Sequence, residues 1–419
     1  MTAAQAPRST HDIPSAFAYF RNEATSAGRT AAQKIGRFVK GGLALPEETL
    51  RAMGGDRARG DAVSDAYIDT AFAEGHAGKV RKMVVQALDD GIDSVDEAPA
   101  GLKALFAHLD TEPDWLEWDR VERGARLFRR YGTDAFFYFG VTTFEGYRFE
   151  HIQKPLALTG AYTGGSAFGR FLETCRFWTD VSEPGALRQG GAGRKAAVMV
   201  RIMHSMIRHT IGPHEEWDGE RFGVPLNQYD QFTTVSLSFT LSQHMKLLGH
   251  QISDEEALDH MHFWRYVGYL MGVEPAFYPE TVEDWWRAVY VISIGADHND
   301  GADSRMLSQS FIDAFAPGPE DQGAERTAKE REYRKALAYA GFFLPAATLE
   351  VTGVPQPGVL RWQPLTRLVP NLVTSAARRA VPGFAATLDV RRRQSRAAWM
   401  SHHTGGRPAA FTPVERLAR

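Results

Sequence analysis

The sequence predicts an all-α protein, and three observations lead to this prediction. Apolar residues recur at spacings of three and four from about residue 16 onwards, and the helix formers Ala, Leu, Arg and Glu are abundant. Alternating Val, Ile and Thr bounded by turns, the pattern of strands, is scarce. Hydrophobic residues make up 43% of the 419 residues and charged residues 24%, which is typical of a globular protein with a sizeable core. We therefore expect a multi-helix globular bundle.

The individual helices are predicted from this periodicity and from signals at their ends. Ser253 and Glu256 have the spacing of a capping box, and Pro113 stands ahead of a helix that contains Trp118. Glycines at 249 and 272 indicate C-terminal ends. The predicted helices span residues 15–40, 46–54, 62–75, 79–90, 98–109, 116–131, 133–146, 165–182, 191–209, 227–249, 253–272, 281–295, 303–315, 325–342 and 373–401.

The chain divides naturally into three parts. Residues 1–14 are polar and contain two prolines, so we expect a loose tail. Residues 15–315 form the main helical domain, with a front piece over 16–110 and a core over 111–315. Residues 316–419 form a basic C-terminal region. Between residues 366 and 413 it contains eight arginines and one acidic residue, Asp389. This run is interpreted as a solvated basic face, with contact to an anionic membrane surface as the alternative.

Composition excludes several classes of protein. The net charge of -3 gives no support to a nucleic-acid partner. The single cysteine, Cys175, excludes an internal disulfide framework, a cysteine-based zinc site and a cysteine-ligated iron–sulfur cluster. The N-terminus shows no secretory signal, and the longest apolar stretch, residues 135–141, is too short to span a bilayer. We expect a soluble, cytoplasmic, bacterial protein.

The fourteen histidines do not match the common metal motifs. The zinc-protease pattern HExxH is absent, and so are the paired Glu-x-x-His motifs of di-iron bundles. His260 and His262 are two residues apart on a predicted helix and so point to different faces. No G-x-S-x-G elbow is present for a serine nucleophile. Zinc hydrolases and di-iron oxidases are therefore disfavoured.

A haem-type site requires less from a sequence: one axial histidine, an apolar pocket, a few polar groups and arginines for the propionates. His204 lies among apolar residues on a predicted helix and is flanked by Arg201 and Arg208. Taken singly, each arginine is better explained by a surface ion pair, and the histidine and each aromatic residue by a core position. The remaining candidates are Arg170, Glu173 and Thr174, which share a helix face, and the aromatic residues Phe168, Phe171, Phe177 and Trp178.

Several blocks in residues 110–300 together resemble the family that joins bacterial rubber oxygenases (latex-clearing proteins) to the fungal, ER-bound MpaB-type oxygenases. They are PDWLEWDRVERG at 113–124, GRFLET at 169–174, VRIMHSMIR at 200–208, Trp217-Asp218 followed by GVPLNQYD at 223–230, and FWRYVG at 263–268 with LMGV at 270–273. No single block is as specific as a zinc signature, but their order and spacing carry the resemblance.

The resemblance implies an all-helical fold with haem b buried among the core helices. His204 falls where the family carries its proximal iron ligand, and Arg170 and Thr174 fall on pocket positions. Between these two, the rubber-oxygenase branch can place a lysine on the distal side of the iron, whereas this chain has Glu173. A carboxylate there could serve as an acid or base beside bound dioxygen or peroxide. Without a secretory signal, extracellular cleavage of insoluble rubber is disfavoured.

The sequence thus predicts a haem b-dependent oxygenase or oxidoreductase that acts on a hydrophobic small molecule or lipid. His204 is the predicted iron ligand, Arg170, Glu173 and Thr174 are the predicted catalytic residues, and Arg170, Thr174, Arg201 and Arg208 are predicted to contact the cofactor. Two alternatives remain open: a non-catalytic helical module that binds haem or lipid and docks on membranes, and a di-metal enzyme of the helical-bundle type.

Overall fold

The computed structural model describes residues 13–160 and 167–405. All regular secondary structure in these residues is helical, so the all-α prediction is confirmed. The α-helices are α1 (Tyr19–Asn22), α2 (Ser26–Gly36), α3 (Glu47–Gly55), α4 (Ala62–Ala73), α5 (Val80–Asp90), α6 (Ala100–Asp110), α7 (Trp118–Arg130), α8 (Asp134–Gly146), α9 (Glu150–Leu158), α10 (Ala167–Ser182), α11 (Ala192–Ile211), α12 (Gly219–Phe222), α13 (Gln228–Leu247), α14 (Asp254–Leu270), α15 (Val282–Ile294), α16 (Ala302–Asp313), α17 (Gly323–Phe343), α18 (Ala346–Val351), α19 (Leu368–Ala380) and α20 (Phe384–Thr404).

The predicted capping box and the two predicted C-terminal glycines are found at helix ends in the structure. At the start of α14, Glu256 N donates to Ser253 Oγ at 3.1 Å and Ser253 N donates to Glu256 Oε2 at 3.1 Å, which is the predicted capping box. Gly249 and Gly272 both have positive φ, of 88° and 78°, just after α13 and α14. The helix ends differ from the predicted ones by a few residues.

The helix predicted over 15–40 is instead two helices, α1 and α2. The chain folds back so tightly between them that a Cβ on Gly28 would lie 2.2 Å from the Asn22 carbonyl oxygen. Thr25 then caps α2, because its hydroxyl accepts a hydrogen bond from Gly28 N at 3.1 Å. Periodicity alone did not reveal this break.

The helix predicted over 373–401 is also two helices, α19 and α20. Pro382 lacks a backbone N–H, and Gly383 adopts a left-handed φ of 76°. The prediction also missed α9, which contains Pro155, and the six-residue α18. A 3₁₀ segment over Gly358–Arg367 precedes α19.

The chain forms two compact units that are interleaved along the sequence. Of the described residues, unit 1 contains 13–124, 183–238 and 257–297, and unit 2 contains 125–160, 167–182, 239–256 and 298–405. The predicted boundary at 315/316 thus falls inside unit 2, because α17 packs against α8 and α16. The predicted tail at 1–14 lies outside the described residues except for 13 and 14. None of the described helices is long and apolar enough to cross a membrane.

Unit 1 is organised around α11. This helix packs against α4 and α5, and α4 packs in turn against α6. Charged side chains are buried in these contacts, including Arg201 with Asp61 and Arg208 with Asp65. Unit 1 therefore fixes α11 through ion pairs as well as through apolar packing.

Unit 2 has an aromatic core centred on α8, whose residues 134–142 are all buried. The helices α10, α16, α17 and α20 contribute most of the other core side chains. Phe171, from the predicted aromatic lining, belongs to this core and stacks edge-on against Phe311 with ring centroids 4.9 Å apart. Phe168 and Trp178 pack against the same cluster.

Candidate functional site

The helix α11 has an unusual distribution of polarity. Its buried face carries Arg194, Arg201, Ser205 and Arg208 in addition to small and aliphatic residues. Each of these arginines is paired with an aspartate of unit 1. A buried charge is tolerated only when it is paired and hydrogen-bonded, so these contacts determine which way α11 faces.

The opposite face of α11 is apolar but only half-buried. It presents Met199, Val200, Met203 and Ile207, and His204 lies at its border with the charged face, one turn from Val200 and Ile207. The spacing of these residues places them on one side of the helix. Unit 1 thus buries the charged face of α11 and leaves the apolar, histidine-bearing face partly accessible.

The buried pair of Arg201 and Asp61 anchors this arrangement. Arg201 Nε donates to Asp61 Oδ2 at 2.6 Å and Arg201 Nη2 donates to Asp61 Oδ1 at 2.8 Å, which is a bidentate pair. Asp61 also caps α4 by accepting from Ser64 N at 3.3 Å. The pair lies against Gly272, where a Cβ would come within 2.1 Å of Asp61 Oδ2. A side chain at 272 would therefore displace the pair.

Arg208 is held by three separate groups. Its Nε donates to Asp65 Oδ1 at 2.8 Å, its Nη1 donates to the Leu226 carbonyl oxygen at 3.1 Å, and its Nη2 donates to Ser205 Oγ at 2.8 Å. Leu226 has a φ of 49°, which is uncommon for a residue other than glycine. The left-handed backbone therefore places a carbonyl oxygen beside α11.

The same carbonyl oxygen determines the protonation of His204. Gln231 Nε2 donates to Leu226 O at 3.0 Å, and because a carbonyl oxygen can only accept, this contact orients the Gln231 amide. Gln231 Oε1 then lies 3.0 Å from His204 Nδ1 and accepts a hydrogen bond from Nδ1–H. A neutral His204 therefore carries its proton on Nδ1, which leaves the Nε2 lone pair available.

His204 is neutral in the folded protein at ordinary pH. Burial lowers the pKa of His204 to about 4, and the neighbouring Arg208 charge lowers it further, against the opposing effects of Gln231 and Asp61. Its Nε2 has no hydrogen-bond partner among the residues that the structure describes. A neutral imidazole with a free Nε2 and an occupied Nδ1–H is the form that binds a metal ion.

The other predicted site residues lie on α10, in unit 2. Arg170 Nη1 donates to Glu173 Oε2 at 2.8 Å, and Thr174 Oγ1 donates to the Arg170 carbonyl oxygen at 3.0 Å. These three residues and Phe177 form one half-buried face of the helix. Arg170 therefore restricts the orientation of the Glu173 carboxylate.

The structure brings the predicted residues together in two groups. Arg201, His204 and Arg208 belong to unit 1, and Arg170, Glu173 and Thr174 belong to unit 2. Sequence reasoning missed Gln231, although it directly follows the block at 223–230. It also missed Asp61 and Asp65, because partners so distant in sequence leave no local pattern.

The donor set fits a cofactor that needs one histidine. Over residues 13–160 and 167–405, no group of three or more His, Cys, Asp or Glu side chains could hold a metal ion. Haem iron requires a single imidazole from the protein on one face, in apolar surroundings. His204 Nε2 and the apolar face of α11 match that requirement.

The fold and the site define an all-α protein that presents one neutral imidazole from an apolar helix face. A family profile described as "ER-bound oxygenase mpaB/B'/Rubber oxygenase, catalytic domain" matches residues 129–403, which is more than half of the chain. The chain therefore belongs to this oxygenase family, and the matched region contains both α10 and α11.

One solved structure, "Latex Clearing Protein LCP in the closed state", has the same fold. The TM-score is 0.57 at 18% sequence identity, with 94% of this chain and 98% of that chain covered. Comparison with curated proteins finds no matching sequence.

Proposed function

We propose that this protein is a haem b-dependent oxygenase acting on a hydrophobic small molecule or lipid, with His204 Nε2 as the iron ligand. The observation that carries the proposal is the hydrogen bond from His204 Nδ1–H to Gln231, which leaves Nε2 free on an apolar helix face. Membership of the oxygenase family supports the class of reaction.

The residues around His204 would have distinct roles. Gln231 would hold the imidazole in one tautomer and orientation, as outer-shell partners of metal-binding histidines do. Val200 and Ile207, one turn before and after His204, would exclude water and bind apolar surface. When bound, haem b would supply the chemistry of dioxygen or peroxide.

For the flanking arginines, which the sequence predicts to contact the cofactor, the ion pairs support a positioning role. Every nitrogen of the Arg208 guanidinium already donates to a protein oxygen, and Arg201 is fully buried against Asp61. We therefore propose that both position α11. Arg201 Nη1 has no hydrogen-bond partner in the described part of the chain, but it is fully buried, so a propionate would reach it only if the surrounding side chains moved.

On α10, we propose Glu173 as an acid or base for the oxygen chemistry. The ion pair with Arg170 would keep its carboxylate in one orientation. Thr174 is the other polar side chain on this face and is proposed to contact the cofactor or substrate. The lysine that the resemblance to the rubber-oxygenase branch implies is absent at 173, where this chain would offer the Glu173 carboxylate instead.

The test is an absorption spectrum of the protein expressed with haem supplementation. The wild type is expected to show a Soret band, and His204→Ala is expected to lose it while keeping its helical circular dichroism. His209→Ala is the matched control, because His209 lies on the same helix and pairs with Asp69 near the surface. An unchanged spectrum in His204→Ala would show that the ligand lies elsewhere.

Turnover separates the enzyme from a non-catalytic haem or lipid carrier. Oxygen consumption with an apolar substrate such as a polyisoprenoid, fatty acid or aromatic compound is expected for the wild type. It is expected to be lost in Glu173→Gln while the haem spectrum is retained. Binding of the substrates without oxygen consumption by the wild type would favour the carrier.

A further inference from the structure

The helix α19 in unit 2 buries polar side chains and exposes apolar ones. The residues on its buried face are polar: Asn371 Nδ2 donates to the Leu248 carbonyl oxygen at 2.9 Å, and Ser375 Oγ accepts from Gln251 N at 3.3 Å. A surface helix ordinarily directs apolar residues inward and polar residues outward. The buried hydrogen bonds of α19 therefore force its apolar face outward.

The outward face is a continuous apolar stripe. Val369, Leu372 and Val373 are 65%, 39% and 61% exposed, and they are followed at helical spacing by the exposed Ala376 and Ala380. We call these five residues the α19 stripe. Most of the large hydrophobic side chains that are exposed in the described residues lie between 359 and 390. Single exposed apolar residues need no explanation, but a concentrated group indicates a binding surface.

The charge around the α19 stripe identifies the kind of partner. Residues 351–388 contain four arginines and no acidic residue. Arg367 and Arg378 are paired with Asp134 and Glu256, whereas Arg361 and Arg379 have no carboxylate partner in the described residues. The surface that α19 presents is thus apolar and positively charged.

The 3₁₀ segment before α19 adds an aromatic side chain of the type found at membrane interfaces. Trp362 is 57% exposed, and the Arg361 guanidinium carbon lies 5.2 Å from its ring centroid. Tryptophan and arginine together are favoured at the headgroup level of a bilayer, where an apolar ring and a charged group can both be accommodated.

We propose that α19 and the 3₁₀ segment dock in the plane of an anionic lipid bilayer. The helix has 13 residues, fewer than the roughly 20 needed to cross a bilayer, so it would lie in the interface. Anionic headgroups would pair with Arg361 and Arg379 while the stripe enters the acyl boundary. A second copy is disfavoured as the occupant, because a two-fold contact would bring identical positive groups together.

Docking of this kind would bring the protein to the phase in which lipids and other apolar substrates are concentrated. The surface itself is independent of the proposed cofactor and of His204. The two proposals can therefore fail separately.

The first experiment uses the full chain with a single fluorescent label. Cys175 is buried, so Val373→Cys provides one accessible thiol for a polarity-sensitive dye, and Val390→Cys on α20 is the matched control. Phosphatidylcholine vesicles containing phosphatidylglycerol are expected to raise the fluorescence at 373 and to leave that at 390 unchanged. No change at 373, or an equal rise at both positions, would overturn the proposal.

The second experiment measures vesicle binding by flotation. Val369→Ser with Val373→Ser is expected to lower the partition coefficient at least about tenfold, because apolar burial drives interfacial binding. The matched control, Leu247→Ser with Val390→Ser, also replaces two exposed apolar residues and is expected to bind like the wild type. Circular dichroism checks that both variants remain folded.

The third measurement tests whether the positive charges of Arg361 and Arg379 contribute to vesicle binding. Arg361→Gln with Arg379→Gln is expected to remove the preference for phosphatidylglycerol over pure phosphatidylcholine vesicles, and salt is expected to weaken binding of the wild type. Equal binding of the wild type to neutral and anionic vesicles would contradict the proposal. So would concentration-dependent dimerisation that raises the fluorescence at 373 without vesicles, because α19 would then be a contact between copies.

Discussion

At the scale of single residues, the tautomer of His204 is determined by groups that do not contact its Nε2. The Leu226 carbonyl orients the Gln231 amide, and the amide oxygen accepts a hydrogen bond from His204 Nδ1–H. Arg208 donates to the same carbonyl and is itself held by Asp65. A short chain of hydrogen bonds therefore links a buried ion pair to the proposed iron ligand.

The variant Gln231→Leu tests this chain. It removes the acceptor of the Nδ1 proton, so His204 in the cofactor-free protein is expected to lose its tautomer preference. The nitrogen chemical shifts of a 15N-labelled sample measure the tautomer directly. In the haem-loaded protein, affinity is expected to fall by about 10- to 100-fold, the usual cost of losing an outer-shell partner.

The control variants make the result specific to Gln231. Gln231→Glu retains an acceptor oxygen and is expected to restore the Nδ1–H tautomer. Gln243→Leu, at another half-buried glutamine of α13, is expected to leave it unchanged. If Gln231→Leu kept the Nδ1–H form, the amide would not determine the tautomer, whether or not the protein binds haem.

At the scale of the element, α11 depends on the contrast between its two faces. The buried side carries paired arginines, and the half-buried side carries His204 in apolar surroundings. An amphipathic helix that followed hydrophobicity alone would bury the apolar side. The aspartates of α4 and its cap reverse that preference, since a buried guanidinium cannot be left unpaired.

The variant Asp61→Asn is expected to destabilise the fold by about 3 to 5 kcal/mol, because it leaves the Arg201 charge buried without its partner. Urea unfolding monitored by circular dichroism measures the change. Asp89→Asn is the control, because Asp89 of α5 pairs with Lys195 of α11 at an exposed position and its loss should cost no more than about 1 kcal/mol. Similar costs in the two variants would contradict the anchoring role of Asp61.

At the scale of the whole molecule, several buried histidines are neutral in the folded protein. Burial lowers the pKa of His244 to about 4, that of His250 to about 3 and that of His262 to about 4. The unfolded chain binds these protons near the ordinary histidine pKa of about 6.5. Their contribution to stability is therefore complete above about pH 6.5 and is lost progressively as the pH falls towards 4.

His244 offers the clearest test of this pH dependence. The His244 Nδ1 atom forms a hydrogen bond with the Tyr138 hydroxyl at 2.9 Å. Burial alone lowers the pKa of His244. The free energy of unfolding of the wild type is expected to fall between about pH 7 and about pH 5, with roughly 2 kcal/mol of the loss due to His244. His244→Gln should show a shallower slope by that amount.

The control for this measurement is Gln243→Leu, at the residue before His244 on the same helix. Gln243 carries no ionisable group, so its replacement is expected to leave the slope of stability against pH unchanged. If His244→Gln and the wild type had the same slope, protonation of His244 would not contribute to acid unfolding.

Much of the molecule was predictable because its causes are local. The spacing of apolar residues identified most of the helices, and the Ser253 and Glu256 pair marked the start of α14. The ordered blocks between 110 and 300 identified the family, and they drew attention to His204 and to Glu173. Local patterns also showed that Arg170, Glu173 and Thr174 share one helix face.

Only the tertiary structure decided which way the helices face and what the site residues contact. Residues that meet across 140 positions, such as Arg201 and Asp61, leave no periodic trace in the sequence. The same holds for the Leu226 carbonyl that orients Gln231, and for the polar contacts that turn the apolar stripe of α19 outward. The sequence by itself determined helices, family and the candidate histidine. The long-range pairing of buried polar groups decided their orientation, because the cost of leaving such groups unpaired exceeds the local preference for burying apolar faces.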